Sequence, residues 1–297
     1  MKKTFFVYAN CQKNPLIKLF LAQPEFTKYF TVLAPDFPPI HVLRPNHLEQ
    51  LHIILHDTDV FIYQPVVNYD QFNTETLMSF LKTGCEKISI PSIWFDGYTP
   101  ESFYFRLNGT AAIPHFSPYH DYNILKAFVM RKSVEYAVAL MQGDFFYTKE
   151  MVEQTSASTI QALKRREDDL DIHIADYISE YWKSRRLFNS INHPKNEILL
   201  QVVAQVMERF GIEVDESKSP DDDLLWTPVI PIYSSHPFVE SKPTYFHHGE
   251  SKTNKEYVIA AYNSYESYDL EDIANQLSHY EKNVILSVLR DRHLELG

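Results

Sequence analysis

The chain is 297 residues long, 44% apolar and 14% aromatic, enough to bury a large core and to exclude global disorder. Its formal net charge of −11 excludes a general binder of nucleic-acid backbones, because counterion release needs clustered Lys and Arg; a small anion held by a local basic patch stays open. No apolar run approaches the ~18 residues of a membrane-spanning helix, so no membrane span is expected.

The first predicted element is a strand over Thr4–Ala9, a β-branched and aromatic run. Met1-Lys2-Lys3 has the charge of a signal-peptide n-region, but the apolar stretch after it is only about five residues where an h-region needs roughly 7–15. A polar loop, Asn10-Cys11-Gln12-Lys13, follows. Asn14 then reads as an N-cap with Pro15 at the first helical position, and Leu16, Ile17, Phe20 and Leu21 recur at helical spacing. Tyr29–Leu33 is predicted as a second strand, followed by a loop with Pro35, Pro38, Pro39 and Pro45. Asn46 is expected to cap a helix carrying Leu48, Leu51, Ile54 and Leu55. Asp59–Val66 reads as a buried strand, Thr74–Lys82 as a short helix closed by Gly84, and Lys87–Ile90 as a strand that Pro91–Phe95 extends.

Beyond about residue 100 the pattern changes. Asp96-Gly97-Tyr98-Thr99-Pro100 is a turn, Arg106–Tyr119 a long aromatic loop, and Asp121–Trp182 mostly helical with a break near Gly143. Leu187–Ile191 is one more predicted strand. Asn192-His193-Pro194-Lys195 opens a helix to about Phe210, ended by Gly211. Residues 215–252, with Asp221-Asp222-Asp223, are expected to be irregular. Thr253 caps a helix with Val258, Ile259 and Tyr262, and a last helix runs from Leu270 to Leu289. The expected fold is therefore a single α/β domain over 1–297: a mainly parallel sheet flanked by helices, with a helical insertion and a helical C-terminus.

Two cysteines in so long a chain, Cys11 and Cys85, point to a reducing compartment and free thiols, leaving a bridge between them open. Cys11, between a strand and a helix N-terminus, lies where positive dipole can lower a thiol pKa and make a nucleophile. Asn10 and Gln12 flank it with amides suited to an oxyanion. His193 precedes a late helix, a place for a base. Gln64 ends a buried strand, so its amide would emerge at the carboxyl edge of the sheet, where α/β folds bind ligands. An early nucleophile and a late His-Pro are similar in order to SGNH-type hydrolases. There an Asp three residues before the His orients its ring; here that residue is Ser190, so Asn189 or a group elsewhere would have to serve.

The thirteen histidines raise the question of a metal. His52 and His56 share a helix face, but Ile53 stands where a zincin needs Glu, and His247-His248 has no second pair nearby, so no metal site is assigned. With seven glycines and no glycine-rich phosphate loop, nucleotide-cradling motifs are excluded. Lys13, near a helix N-terminus, is the best-placed phosphate ligand. The clusters at Arg106, Arg131-Lys132, Lys164-Arg165-Arg166 and Arg185-Arg186 read as solvated faces.

Together, Asn10-Cys11-Gln12, Tyr63-Gln64-Pro65, Gly97-Tyr98-Thr99-Pro100, Pro118-Tyr119-His120-Asp121, Asn192-His193-Pro194 and the Tyr257–Tyr265 helix resemble the WcbI family of capsular polysaccharide biosynthesis proteins, over residues 4 to about 265. The resemblance implies a cytoplasmic acyltransferase that binds coenzyme A and passes an acetyl group to a capsule sugar. Its partners would be an acyl-CoA donor and a carbohydrate acceptor. It implies that Asn10, Cys11, Gln12, Gln64, Tyr98, Asp121 and His193 are matching positions. In that reading His193 is the base, Gln12 and Gln64 are oxyanion donors, and Cys11 either accepts the acyl group or sits beside the CoA sulfur. The rival readings are a hydrolase built on Cys11 and His193, and a non-catalytic CoA- or glycan-binding protein.

Overall fold

A computed structural model describes residues 1–107, 109–111, 119–225, 230–240, 244–247 and 250–296. The chain forms two compact units. The first comprises Met1–Trp94, Ile160–Tyr181 and His193–Trp226; the second comprises Phe95–Thr159, Trp182–Asn192 and Thr227–Gly297.

The first unit is built on a four-stranded parallel sheet. Strands β1 (Lys3–Tyr8), β2 (Phe30–Val32), β3 (Val60–Tyr63) and β4 (Glu86–Ser89) lie in the order β2-β1-β3-β4. β1 aligns Phe5 with Val60 and Tyr8 with Tyr63, and β3 aligns Tyr63 with Ser89. Helices α1 (Lys13–Ala22), α2 (Pro24–Tyr29), α3 (Leu48–His56) and α4 (Thr74–Met78) connect the strands. β1 is apolar at every position from Phe5 to Tyr8 because both of its faces are covered. Phe5 packs with Phe20, Phe26 and Phe30 at centroid distances of 4.9–5.6 Å. Phe6 and Tyr8 join Phe37, Leu51, Leu55, Phe61, Phe72 and Leu77 in a separate buried cluster. Burying each such ring contributes about 1.5–3 kcal/mol relative to exposure.

Several boundaries differ from expectation. α1 starts at Lys13, because Asn10 rather than Asn14 closes the turn before it. The Pro24–Tyr29 helix was not foreseen, and β2 is accordingly only three residues. A 3-10 turn over Pro45–His47 precedes α3, with Arg44 N–H donating to His47 Nδ1, so Asn46 is not the cap. α4 stops at Met78, where Ser79 Oγ donates to the Thr76 carbonyl. Gly84 does adopt the left-handed conformation, φ 84°. Residues 91–95 carry no strand; the Pro91 and Ile93 carbonyls receive side-chain amides instead.

The second unit is mostly helical but holds short antiparallel pairs, Ser102–Phe103 with His120–Asp121 and Arg106–Leu107 with Thr110–Ala111. Residue 108 and residues 112–118 of the expected long loop, including Pro118, lie outside the described residues. Phe188–Ser190 is a strand outside the parallel sheet. The stretch read as irregular contains a hairpin, Thr244–His247 with Glu250–Thr253. Thr253 caps the Asn254–Tyr265 helix in a reciprocal box with Glu256, as its sequence suggests. The last predicted helix is two, Leu270–Tyr280 and Val284–Leu296.

Candidate functional site

The loop after β1 is fixed by amides. Asn10 Oδ1 accepts the Gln12 N–H at 3.0 Å, and the Asn10 carbonyl accepts the Lys13 N–H at 3.0 Å. This Asx turn starts α1 and leaves Cys11 at its apex. Gln64, directly after β3, joins β1 through its N–H to the Tyr8 carbonyl at 2.9 Å. Its Oε1 accepts the Asn10 N–H at 2.9 Å. Its Nε2 donates to Gln12 Oε1 at 2.9 Å and to the Pro91 carbonyl at 3.1 Å. Gln12 Nε2 donates to the Ile93 carbonyl at 2.9 Å, and Asn10 Nδ2 reaches Ser92 Oγ at 3.1 Å. Two buried glutamines thus lace the carboxyl ends of β1, β3 and β4 together.

This changes the expected role of Gln64. Both of its amide hydrogens are engaged, so it offers no donor to an oxyanion and serves to position the loop. Gln12, fully buried, commits an amide hydrogen to the Ile93 carbonyl.

Cys11 is half-buried, with Sγ 3.8 Å from Asn10 Oδ1. Burial pushes its thiol up to about 11, against the opposing pull of the Cys11 and Gln12 N–H groups. The thiol is therefore raised where the helix N-terminus was expected to lower it: burial outweighs the two backbone N–H groups. Cys85 is the other free thiol; it is buried just before β4 and 3.5 Å from the Glu86 carbonyl.

Lys13 also departs from expectation. It is buried, and its Nζ donates to the Pro35 carbonyl at 2.6 Å and lies 3.4 Å from Asn14 Oδ1. Burial lowers it to about 8, with Asp36 opposing. The ammonium ties the turn after β2 to α1 instead of facing outward for a phosphate. Ala34 enters that turn with φ 41°.

His193 is half-buried and precedes the Asn196–Glu208 helix, which packs on α1. The two helices run in the same direction. Gln23, at the end of α1, accepts the Asp215 N–H at 2.8 Å, and Phe210 packs on Phe30 at 4.9 Å, so their carboxyl ends lie together. Their amino ends then lie together too, which places His193 at the same edge of the sheet as Cys11.

Tyr98 and Asp121 belong to the second unit. The Tyr98 hydroxyl lies 3.0 Å from the Trp182 carbonyl and 2.8 Å from that of Arg185, and accepts the Leu187 N–H at 3.1 Å. Asp121 caps the Tyr122–Val129 helix through the Asn123 and Ile124 N–H groups, and the Tyr233 hydroxyl donates to it. Burial raises Asp121 to about 7 despite these bonds. Glu101, which receives the Tyr147 hydroxyl at 2.6 Å, is pushed well above the carboxylate range by burial and then by Asp121. His293 completes the cluster with Nε2 3.1 Å from Asn123 Oδ1. The sequence reading missed Glu101, Tyr147, Tyr233 and His293. Its one local signal was Asp121 standing directly before a helical run.

Among the described residues no three His, Cys, Asp or Glu side chains converge as a metal site would require. Of the expected basic clusters, Lys164 pairs with Asp176, and Arg186 donates to the Phe188, Asn189 and Ile230 carbonyls.

Residues 4–215 match the family model described as polysaccharide biosynthesis enzyme WcbI. A solved structure of a WcbI, described as a novel polysaccharide biosynthesis enzyme, superimposes with a TM-score of 0.84 at 21% identity, covering 98% of this chain and 99% of that one. That protein is further described as the native form without a disulfide bond between coenzyme A and one of its cysteines. At this identity the likeness speaks to the fold. No curated protein matches the chain.

Proposed function

This chain belongs to the WcbI family of polysaccharide biosynthesis enzymes, and on that premise we propose that it transfers an acyl group from coenzyme A to a sugar hydroxyl at the Cys11 loop. The observation that carries the reading is Cys11 itself: a half-buried thiol at the carboxyl edge of a parallel sheet, on a loop held by Gln12 and Gln64. The solved relative is described through a disulfide, absent there, between coenzyme A and a cysteine. In this chain only Cys11 has the position and exposure to meet a ligand thiol, since Cys85 is buried at the opposite end of the strands.

Coenzyme A, when bound, supplies the acyl group as a reactive thioester. His193 takes the proton of the acceptor hydroxyl as that oxygen attacks. The backbone N–H of Cys11, which already pulls on its own sulfur, presents positive charge at the loop, whereas the Gln12 N–H is held by Asn10 Oδ1. Cys11, protonated at neutral pH, lines the site without attacking. Its raised pKa favours direct transfer over a route through an acyl-cysteine. The phosphates need ligands other than Lys13, whose Nζ is engaged.

The test is turnover of acetyl-CoA with a sugar acceptor, followed by release of free CoA. Direct transfer predicts no acetyl mass on the Cys11 peptide. Acetyl-CoA consumption that proceeds through a labelled Cys11 would replace this route with the two-step one, and loss of acetate to water without acceptor would favour a hydrolase.

A further inference from the structure

At the other edge of the sheet lies a cavity of about 660 Å³, bordered by the start of β1, the end of α2 and the turn after the Asn196–Glu208 helix. Lys3 to Tyr8 spans roughly 17 Å at the usual strand rise, so this cavity is separate from the Cys11 loop. Its volume falls in the range of small-ligand sites.

Three lysines, Lys2, Lys3 and Lys28, line it, and no Asp or Glu does, in a chain whose net charge is −11. Lys28 is paired with Glu25 outside the lining. Lys2 and Lys3 have no ion pair among the described residues; Lys3 instead sits 5.9 Å over the Phe210 ring. Tyr29, 56% exposed, and Phe210 offer aromatic surface beside these charges.

The backbone narrows the class of anion. Both bordering helices end here, so their negative dipole ends face this edge. The turn after the second helix is closed by its own bonds, Gly211 N–H to the Glu208 carbonyl and Ile212 N–H to that of Met207, with Gly211 at φ 68°. No helix N-terminus and no glycine-rich loop is present to cradle a pyrophosphate. A single carboxylate on a ring with an apolar face suits lysines beside aromatics.

We propose that this cavity binds an acidic saccharide, a uronic-acid pyranose whose carboxylate meets the lysines and whose ring lies on the exposed Tyr29. The proposal rests on the family's polysaccharide context and not on acyl transfer, so it stands or falls apart from events at Cys11.

The test is calorimetric titration of the CoA-free protein with an oligogalacturonate of four units, with maltotetraose as the neutral control. The acidic oligomer is expected to bind in a salt-sensitive manner, and maltotetraose at least tenfold more weakly. Lys2→Gln with Lys28→Gln, and separately Tyr29→Ala, should each weaken binding of the acidic oligomer at least tenfold. All three side chains are at the surface, and an unchanged melting curve checks the fold. No binding at millimolar oligomer, equal affinity for the neutral one, insensitivity to the substitutions, or displacement by coenzyme A would each overturn the assignment.

Discussion

Cys11 stands where a helix N-terminus and burial pull one thiol in opposite directions, and burial prevails, leaving the sulfur protonated at neutral pH. The roles of the two candidate residues therefore separate in mutagenesis. Cys11→Ala is expected to retain transfer within about threefold, whereas His193→Asn should lower kcat by about 10²–10⁴ as loss of a general base does. An inactive Cys11→Ala that still binds coenzyme A would reverse this assignment. Gln64 acts through the loop. Gln64→Leu strands the Asn10 N–H and the Pro91 oxygen and leaves Gln12 Oε1 with only the Ile93 N–H, and should cost about 2–4 kcal/mol in denaturant unfolding, given ~1–3 kcal/mol per buried unsatisfied group. A cost under 0.5 kcal/mol would mean that the amide lattice does not hold the loop.

α1 shows what local pattern reveals and what it hides. The apolar run, the polar loop and the helix after it were legible because burial on both faces makes β1 continuously apolar and because a helix repeats its apolar face. The start of α1 was misplaced because Asn10, two residues before Gln12, caps by an Asx turn that looks in sequence like any loop asparagine. Lys13 was misread because sequence shows its charge but not the Pro35 carbonyl that receives it. The burial of Lys13 carries a pH signature. The folded Lys13 sits at about 8 against the ordinary lysine value of 10.5, so between those values the unfolded chain holds a proton that the folded chain has released. Lys13 therefore makes stability rise with pH across that window, and the difference between wild type and Lys13→Met should carry this rise. A pH-independent difference would show that the ammonium is better solvated than its burial indicates.

Across the whole molecule, the second unit was least legible because its polar core joins distant positions: Glu101 with Tyr147, Asp121 with Tyr233, Asn123 with His293. No periodicity marks such pairs, and two-residue strands fall below any alternation signal. The parallel sheet and the Asn10-Cys11-Gln12, Gln64 convergence were visible because the apolar runs of β1 and β3 each give way to polar residues at one edge. The buried carboxyls have a global consequence. Asp121 is raised from 3.8 to about 7, so in that interval the folded state keeps a proton that the unfolded state has lost, and stability falls as pH rises through it. Asp121→Asn, which keeps the helix cap, should flatten the decline in melting temperature between pH 4 and pH 7. An unchanged slope would remove Asp121 from that role.

The central claim is that the Cys11 edge receives coenzyme A, and thermal unfolding of the intact protein tests it most directly. With CoA or acetyl-CoA at ~100 times Kd, stability should increase by about 2.7 kcal/mol, and ATP at the same concentration should have no effect. No shift with either CoA species at millimolar concentration, or an equal shift with ATP, would contradict the account.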